Sequence, residues 1–300
     1  MTRAKLLWQS KLVLLLVVPW VAASVVLQTH WWAVQDQPVA IWTVSLSLLL
    51  GLIAFKLRSA TFGAAAAGAA ITANLMFATA VVPYLPWKTA LVPVVALMVL
   101  TAGATRAGRK QKERLGLAED RSGRSASQVA ANIGVAAILS SEMSQSWMIE
   151  THWFSIPAQV PMALFTVGLA AITEAAADTV SSELGQVLSG HPRMMTNLRR
   201  VDPGTDGAIS LGGTLAGAAA AALVAASGAF AVGGGARMLS LSLAGGVFGL
   251  FIDSLLGATL ERRGWLNNDA VNFLSTLSAS ALAMLLLARF PYPGIERMMP

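Results

Sequence analysis

Four groups of polar residues in this chain have types and spacing that suit chemistry. The first is residues 174–185, Glu-Ala-Ala-Ala-Asp-Thr-Val-Ser-Ser-Glu-Leu-Gly, which follows the apolar run 160–172 with no turn signal between. Continued as one helix, it carries Glu174, Asp178 and Glu183 to the edge of a membrane, where each charge costs a few kcal/mol and so tends to mark function. The small residues between the acids, Ala175, Ala176, Ala177, Ser181 and Ser182, let other helices come close. The second group is Arg124 with Gln128 and Asn132, two successive i,i+4 steps along one helix face. The third is the loop 193–210, with Arg199, Arg200 and then Asp202-Pro-Gly-Thr-Asp-Gly-Ala-Ile-Ser. The fourth is Asp253 together with Asn267-Asn268-Asp269-Ala-Val-Asn272.

Each group has a structural reading beside the chemical one. Gly245, Gly249, Asp253 and Gly257 recur at four-residue steps, so they share one helix face. Glycines there admit a neighbouring backbone, so Asp253 points into a bundle rather than at lipid. The alternative is a structural Asp bonded to a nearby Ser or Asn. The run 203–213 is a Gly-rich turn feeding a helix start, whose N–H groups and positive dipole end suit a phosphate. A Pro-Gly turn with Ser or Thr caps explains it equally, and no Gly-Lys-Ser/Thr follows to make it a P-loop.

Taken together, carboxylates beside Arg residues and a Gly-rich helix start form the set that Mg²⁺-dependent phosphoryl transfer requires. Carboxylates hold a hard cation that bridges phosphate oxygens. Arg pairs with phosphate and spreads its developing charge. The three His offer no metal-spaced pair and no Ser-His-Asp grouping: His30 and His152 fall on the outer side, and His191 reads as a surface residue.

The elements that must position these groups are membrane helices. Hydrophobic residues make up 55% of the 300, and only 12% are charged, against about 25% in soluble domains. There is no Cys, which excludes disulfides and thiolate metal sites. The net charge of +6 does not argue for nucleic acid, because the basic residues lie in loops between apolar runs. Nine apolar segments are candidates to span: 12–28, 39–55, 61–82, 89–104, 127–148, 156–189, 208–232, 238–260 and 270–288. The fifth contains Asn132, Ser140, Ser141 and Glu142, and a re-entrant segment is its alternative. The first, preceded by Arg3 and Lys5, has the look of a signal peptide, but further spans follow at once and a retained span is expected.

Loop charge sets the orientation. With the amino end in the cytoplasm and nine alternating spans, 17 of the 21 Lys and Arg fall inside and 4 outside. A re-entrant fifth segment shrinks the bias to 12 against 9. The expected fold is therefore an all-α polytopic transmembrane bundle of about nine spans, amino end in. That topology, set by Lys and Arg alone, places all four polar groups at cytoplasmic helix ends. Its parts are a four-span scaffold over residues 1–104, a basic cytoplasmic loop over 105–126, a five-span core over 127–290 and a tail over 291–300. Topology and anionic headgroups account for the loop's basic residues from Arg106 to Arg114, whereas Arg124 differs, because it sits where the fifth segment begins, close to the other polar groups.

At these motifs the sequence resembles a known family, the membrane proteins that include transmembrane protein 19 and the plant and cyanobacterial phytyl-phosphate kinase of vitamin E synthesis. The matching pieces, in family order over about 115–290, are Gly123-Arg124-Ser125 with Gln128 and Asn132; Asp178-Thr179 with Ser182-Glu183-Leu184-Gly185; Pro203-Gly204-Thr205 with Gly207 and Ile209-Ser210-Leu211; Asp253-Ser254-Leu255-Leu256-Gly257; and Asn268-Asp269 with Val271-Asn272. Ala208 and Glu261 depart from the pattern, which favours Gly and Gln there.

The resemblance implies an integral membrane kinase that converts an isoprenyl monophosphate to the diphosphate with a nucleoside triphosphate, CTP or ATP, and Mg²⁺. Carried onto this chain, Asp178, Glu183 and Asp253 coordinate Mg²⁺. Arg124, Arg199, Arg200 and the backbone of Gly204, Thr205 and Gly207 hold phosphates. Asn268, Asp269 and Asn272 orient the nucleotide or metal. The expected partners are membrane lipids, the isoprenyl monophosphate and the nucleotide, with no nucleic acid. Two other classes stand beside this one: an ion-coupled transporter using the intramembrane carboxylates, and a lipid-headgroup enzyme such as a phosphatidyltransferase, for which no Asp-Gly-x-x-Ala-Arg run is present.

Overall fold

A computed structural model describes residues 6–117, 123–151, 160–188 and 191–290. Arg3, Lys5, Arg121, His152, Trp153, Ser189, Arg297, residues 156–159 of the sixth expected span and the tail lie outside the described residues.

The chain is an all-α bundle. Its helices are α1 (Leu7–Gln35), α2 (Gln37–Lys56), α3 (Phe62–Ala78), α4 (Leu91–Arg106), α5 (Arg109–Leu115), α6 (Ala126–Ser140), α7 (Glu142–Glu150), α8 (Val160–Leu188), α9 (Leu211–Val232), α10 (Gly235–Leu256) and α11 (Asn268–Arg289). A π-helical turn, Gly257–Glu261, extends α10. A two-residue antiparallel pair, β1 (Arg193–Met194) with β2 (Ala208–Ile209), closes the loop before α9.

The helix starts are written in polar residues. Thr61 caps α3 and Ser210 caps α9. Asn267 caps α11, and Ser125 with Gln128 forms a reciprocal capping box on α6. Each satisfies backbone N–H groups that the first turn leaves open. The cap at Ser210 also explains why the seventh segment becomes helical at Leu211 rather than at Ala208, which lies in β2.

Among the described residues six helices are long and apolar enough to cross a membrane; α4 and α5, bent by 58°, make a seventh if taken as one span. Helices α3 and α6 are apolar but shorter. The fifth expected span, 127–148, is not one helix. It breaks at Ser141, whose extended backbone ends α6 and whose hydroxyl caps α7 by accepting from Ser144 N. Ser141 and Ser144 also donate to the Ile138 carbonyl, replacing the bonds that a continuous helix would have made.

Helix α8 is the centre. In its apolar window 89% is buried, against 22% in α1 and 28% in α2. The side chains that let neighbours approach are small. A Cβ on Gly217 would stand 2.6 Å from the Ala177 carbonyl of α8, so α9 can lie against α8 only with glycine there. Helix-to-helix hydrogen bonds add to the packing: Ser242 to the Thr166 carbonyl, Ser280 to the Val167 carbonyl and Asn74 to the Ala137 carbonyl.

Candidate functional site

Helix α8 places Glu174 and Asp178 one turn apart on the same face. Glu174 is buried, and Asp178 is partly exposed. Helix α10 brings Asp253 to them, with the Asp178 and Asp253 carboxyls in hydrogen-bonding reach. The face of α10 that carries Asp253 does turn into the bundle: Gly249 lies against the Glu174 side chain and α11, and Gly257 against Gly207.

From α11, Ser275 reaches both Glu174 and Asp253. Its hydroxyl has one proton, and that proton also has the Asn272 carbonyl within 3.0 Å. It cannot serve all three acceptors. Accordingly Glu174 Oε1 and Asp253 Oδ2 are buried with no hydrogen-bond partner. A buried acceptor left unmatched costs about 1–3 kcal/mol, and more when charged. Two such atoms, on different helices whose carboxyls feel each other's charge, are a deficit that a cation would relieve.

Arg124 supplies positive charge at the edge of the cluster. It is an electrostatic neighbour of Asp178, and its Nη2 lies 3.5 Å from Thr179 Oγ1. Its position is fixed through the backbone. Arg124 N donates to the Ser59 carbonyl, and Thr61 N donates to the Arg124 carbonyl, each at 3.0 Å. Gly123 (φ +76°) makes this possible, since a Cβ there would meet the Ser59–Ala60 backbone. Asn132 and Asn272 join across α6 and α11 at 2.9 Å. Gln128, on the same face as Arg124 in sequence, is taken up by the capping box.

Glu183 has a different setting from the one expected. It is ion-paired with Lys112 of α5, and Thr105 Oγ1 donates to it at 3.2 Å. Lys112 is almost wholly buried, and its ammonium also faces the Ala104 and Thr105 carbonyls at 2.9 and 3.4 Å. All three of its donors are used. Sequence reasoning missed Lys112 because it is one of seven basic residues in a loop that topology accounts for. The hint was the flanking pair Gly108 and Gly116, which cut a short helix out of that loop.

The remaining expected residues divide. Arg199 and Arg200 are exposed on the loop between β1 and β2, and no described side-chain contact ties them to the acids. Gly204 and Gly207 take positive φ, +81° and +73°, and the loop between them packs on Gly257 and Ala258 at the π turn, one helical turn beyond Asp253. Thr205 closes that loop by donating to the Asp202 carbonyl. Asn268 is exposed, Asp269 is buried in the first turn of α11, and Asn272 reaches the cluster through Ser275 and Asn132.

Beside the cluster, a cavity of about 460 Å³ lies among α2, α3, α4 and α6. Arg124, Asn132 and Thr105 are in its lining, so it adjoins the acids.

Among the described residues no group of three or more His, Asp and Glu is arranged to hold a metal ion unaided. Mg²⁺ is commonly held by only one or two carboxylates and completed by phosphate and water. The unmatched oxygens of Glu174 and Asp253, next to Asp178, fit that mode.

Fold and site together define a polytopic, all-α integral membrane protein with an acid cluster buried between α8, α10 and α11. The chain belongs to the DUF92 family of integral membrane proteins, whose family model matches residues 45–280. It is similar to an uncharacterised membrane protein of Synechocystis, 32% identical over 208 residues, covering 67% of this chain and 74% of that protein. An uncharacterised membrane protein of Methanocaldococcus jannaschii is 40% identical over 118 residues, 39% of this chain and 49% of that one. The chloroplast protein VTE6 of Arabidopsis thaliana is 28% identical over 197 residues, 64% of this chain and 57% of that one. The chain thus aligns with about half the length of the last two. No solved structure matches it.

Proposed function

We propose that this protein is an integral membrane phosphotransferase that converts an isoprenyl monophosphate to the diphosphate at the expense of a nucleoside triphosphate. The observation that carries the reading is the acid cluster of α8 and α10, in which Glu174 Oε1 and Asp253 Oδ2 are buried and unmatched and Asp178 has Arg124 alongside.

Asp178 and Asp253, backed by Glu174, would hold Mg²⁺, which would supply neutralisation of phosphate charge. Arg124 holds the phosphate nearest Asp178. The Gly204–Gly207 backbone, packed on the π turn, and the exposed Arg199 and Arg200 receive the nucleotide's phosphates. Asn132 and Asn272 fix the approach of α6 to α11, and Asp269 with Asn268 lines the entrance. An oxygen of the lipid monophosphate attacks the γ-phosphorus. That P–O bond forms as the bond to the β-phosphate oxygen breaks, and the nucleoside diphosphate leaves with its electron pair. The nucleophile is already anionic, so no general base is needed, and positioning carries the rate. Glu183 keeps its ion pair and stays outside the metal set.

The test is transfer of label from CTP or ATP to phytyl, farnesyl and geranylgeranyl monophosphates by purified protein in lipid nanodiscs. Mg²⁺-dependent formation of a lipid diphosphate is expected. Failure with every lipid and both nucleotides removes the reading. A second reading, ion-coupled transport, is favoured by Glu174, which is buried midway along α8. It predicts substrate-driven ion flux in sealed liposomes.

A further inference from the structure

The cavity among α2, α3, α4 and α6 is chemically two-ended. Its walls are apolar or small, with Leu50, Gly68, Val94 and Ala102 among them. At one end it meets Arg58, Arg106, Arg109 and Arg124. Arg109 is paired with Glu113. Among the described residues no ion pair engages Arg58 or Arg106. Arg58 is also one of two non-glycine residues there with positive φ, +53°. That backbone persists where its surroundings enforce it. They do so here: Arg58 N bonds the Phe55 carbonyl, and Ser59 N bonds the Ala54 carbonyl. Ser59 in turn accepts from Arg124 N. The segment that holds Arg58 in place is therefore the one that holds Arg124 beside Asp178.

We infer that this cavity is the binding slot for a single-chain lipid monophosphate, with Arg58 and Arg106 gripping the phosphate and the chain lying between α2, α3 and α4. Charge complementarity decides the class: unpaired guanidinium groups at the mouth and an apolar interior match an anionic head on a hydrocarbon tail. A cavity of about 460 Å³ has room for a hydrocarbon chain beside the phosphate. Arg124, which lines the cavity and neighbours Asp178, then sets the bound phosphate at the edge of the reactive site. The inference deepens the proposed function, resting on it for the reaction but not for the binding.

Binding is therefore measured without nucleotide or metal, on the full chain in phosphatidylcholine nanodiscs, with farnesyl monophosphate as the probe. Arg58→Gln and Arg106→Gln should each weaken binding about tenfold, as loss of one charge-assisted contact does. Gly68→Leu should weaken it by at least as much. A Cβ at Gly68 meets nothing nearer than Val129 Cγ1 at 3.8 Å, so a side chain can be started there, and Gly68 lines the slot. If that variant misfolds, Ala102→Leu fills the same space. Farnesol and inorganic phosphate should both compete poorly. The slot is refuted if the filling and arginine variants bind like the parent, or if phosphatidic acid competes as well as farnesyl monophosphate, which would make it an ordinary headgroup site. Intact binding with no transfer under any condition would refute the kinase instead.

Discussion

Helix α8 carries two sets of acids within ten residues, and they are treated in opposite ways. Glu183 meets a buried Lys112 whose three donors are all engaged, and Thr105 supports it as well. Glu174 and Asp178 face a third acid, Asp253, and one oxygen each of Glu174 and Asp253 is buried without a partner. A buried charge with a full set of partners holds elements together; here it pins α5 to α8. A buried acid cluster left short of partners is a standing cost that packing alone would not produce, and it is where a cation and phosphates would relieve the deficit. The difference between structure and function on this helix is thus one of hydrogen-bond satisfaction, not of residue type.

The largest expected effect tests the unsatisfied set. Asp178→Asn or Asp253→Asn should lower phosphotransferase turnover about 10²–10³-fold or more, while the unfolding temperature in the same detergent stays level or rises, because mutual repulsion is relieved. Normal turnover in either variant, or a marked loss of stability, would reverse the contrast.

Next comes the satisfied pair. Lys112→Ala should destabilise by about 3–5 kcal/mol, the usual result of stranding one partner of a buried pair. Activity per folded molecule should change little. Joint replacement, Lys112→Met with Glu183→Met, should restore most of the stability, and a double variant as unstable as the single one would count against the pair. Smaller still, Asn272→Ala leaves Asn132 Oδ1 without its donor and should cost about 1–3 kcal/mol. Thermal unfolding followed beside turnover separates that loss from chemistry. The smallest, Gln128→Ala, removes half of a capping box, worth about 1 kcal/mol. It should leave the rate unchanged, and a large kinetic defect would return Gln128 to the site.

Much of the architecture was legible because hydropathy and capping are local signals. Long apolar runs announce the helices, and Thr61, Ser125, Ser210 and Asn267 announce where several start. The i,i+4 ladder of Gly245, Gly249, Asp253 and Gly257 told which face of α10 turns inward, since side-chain direction follows from helix periodicity. The break at Ser141 was harder to see, because Ser residues cap helices and also sit within them, and only the competing bonds to Ile138 decide between the two.

Sequence by itself determined that this is a helical membrane protein of the DUF92 family, and it singled out Asp178, Glu183, Asp253 and Arg124, with Arg199, Arg200, Gly204, Thr205, Gly207, Asn268, Asp269 and Asn272, as candidate polar-site residues. What only the tertiary structure decided is the pairing: Glu183 with Lys112, Asp178 with Asp253, Asn132 with Asn272, and the Arg58 segment with Arg124. Helix formation depends on neighbours a few residues away, whereas whether a buried charge is satisfied depends on groups far along the chain, brought close only when the helices pack.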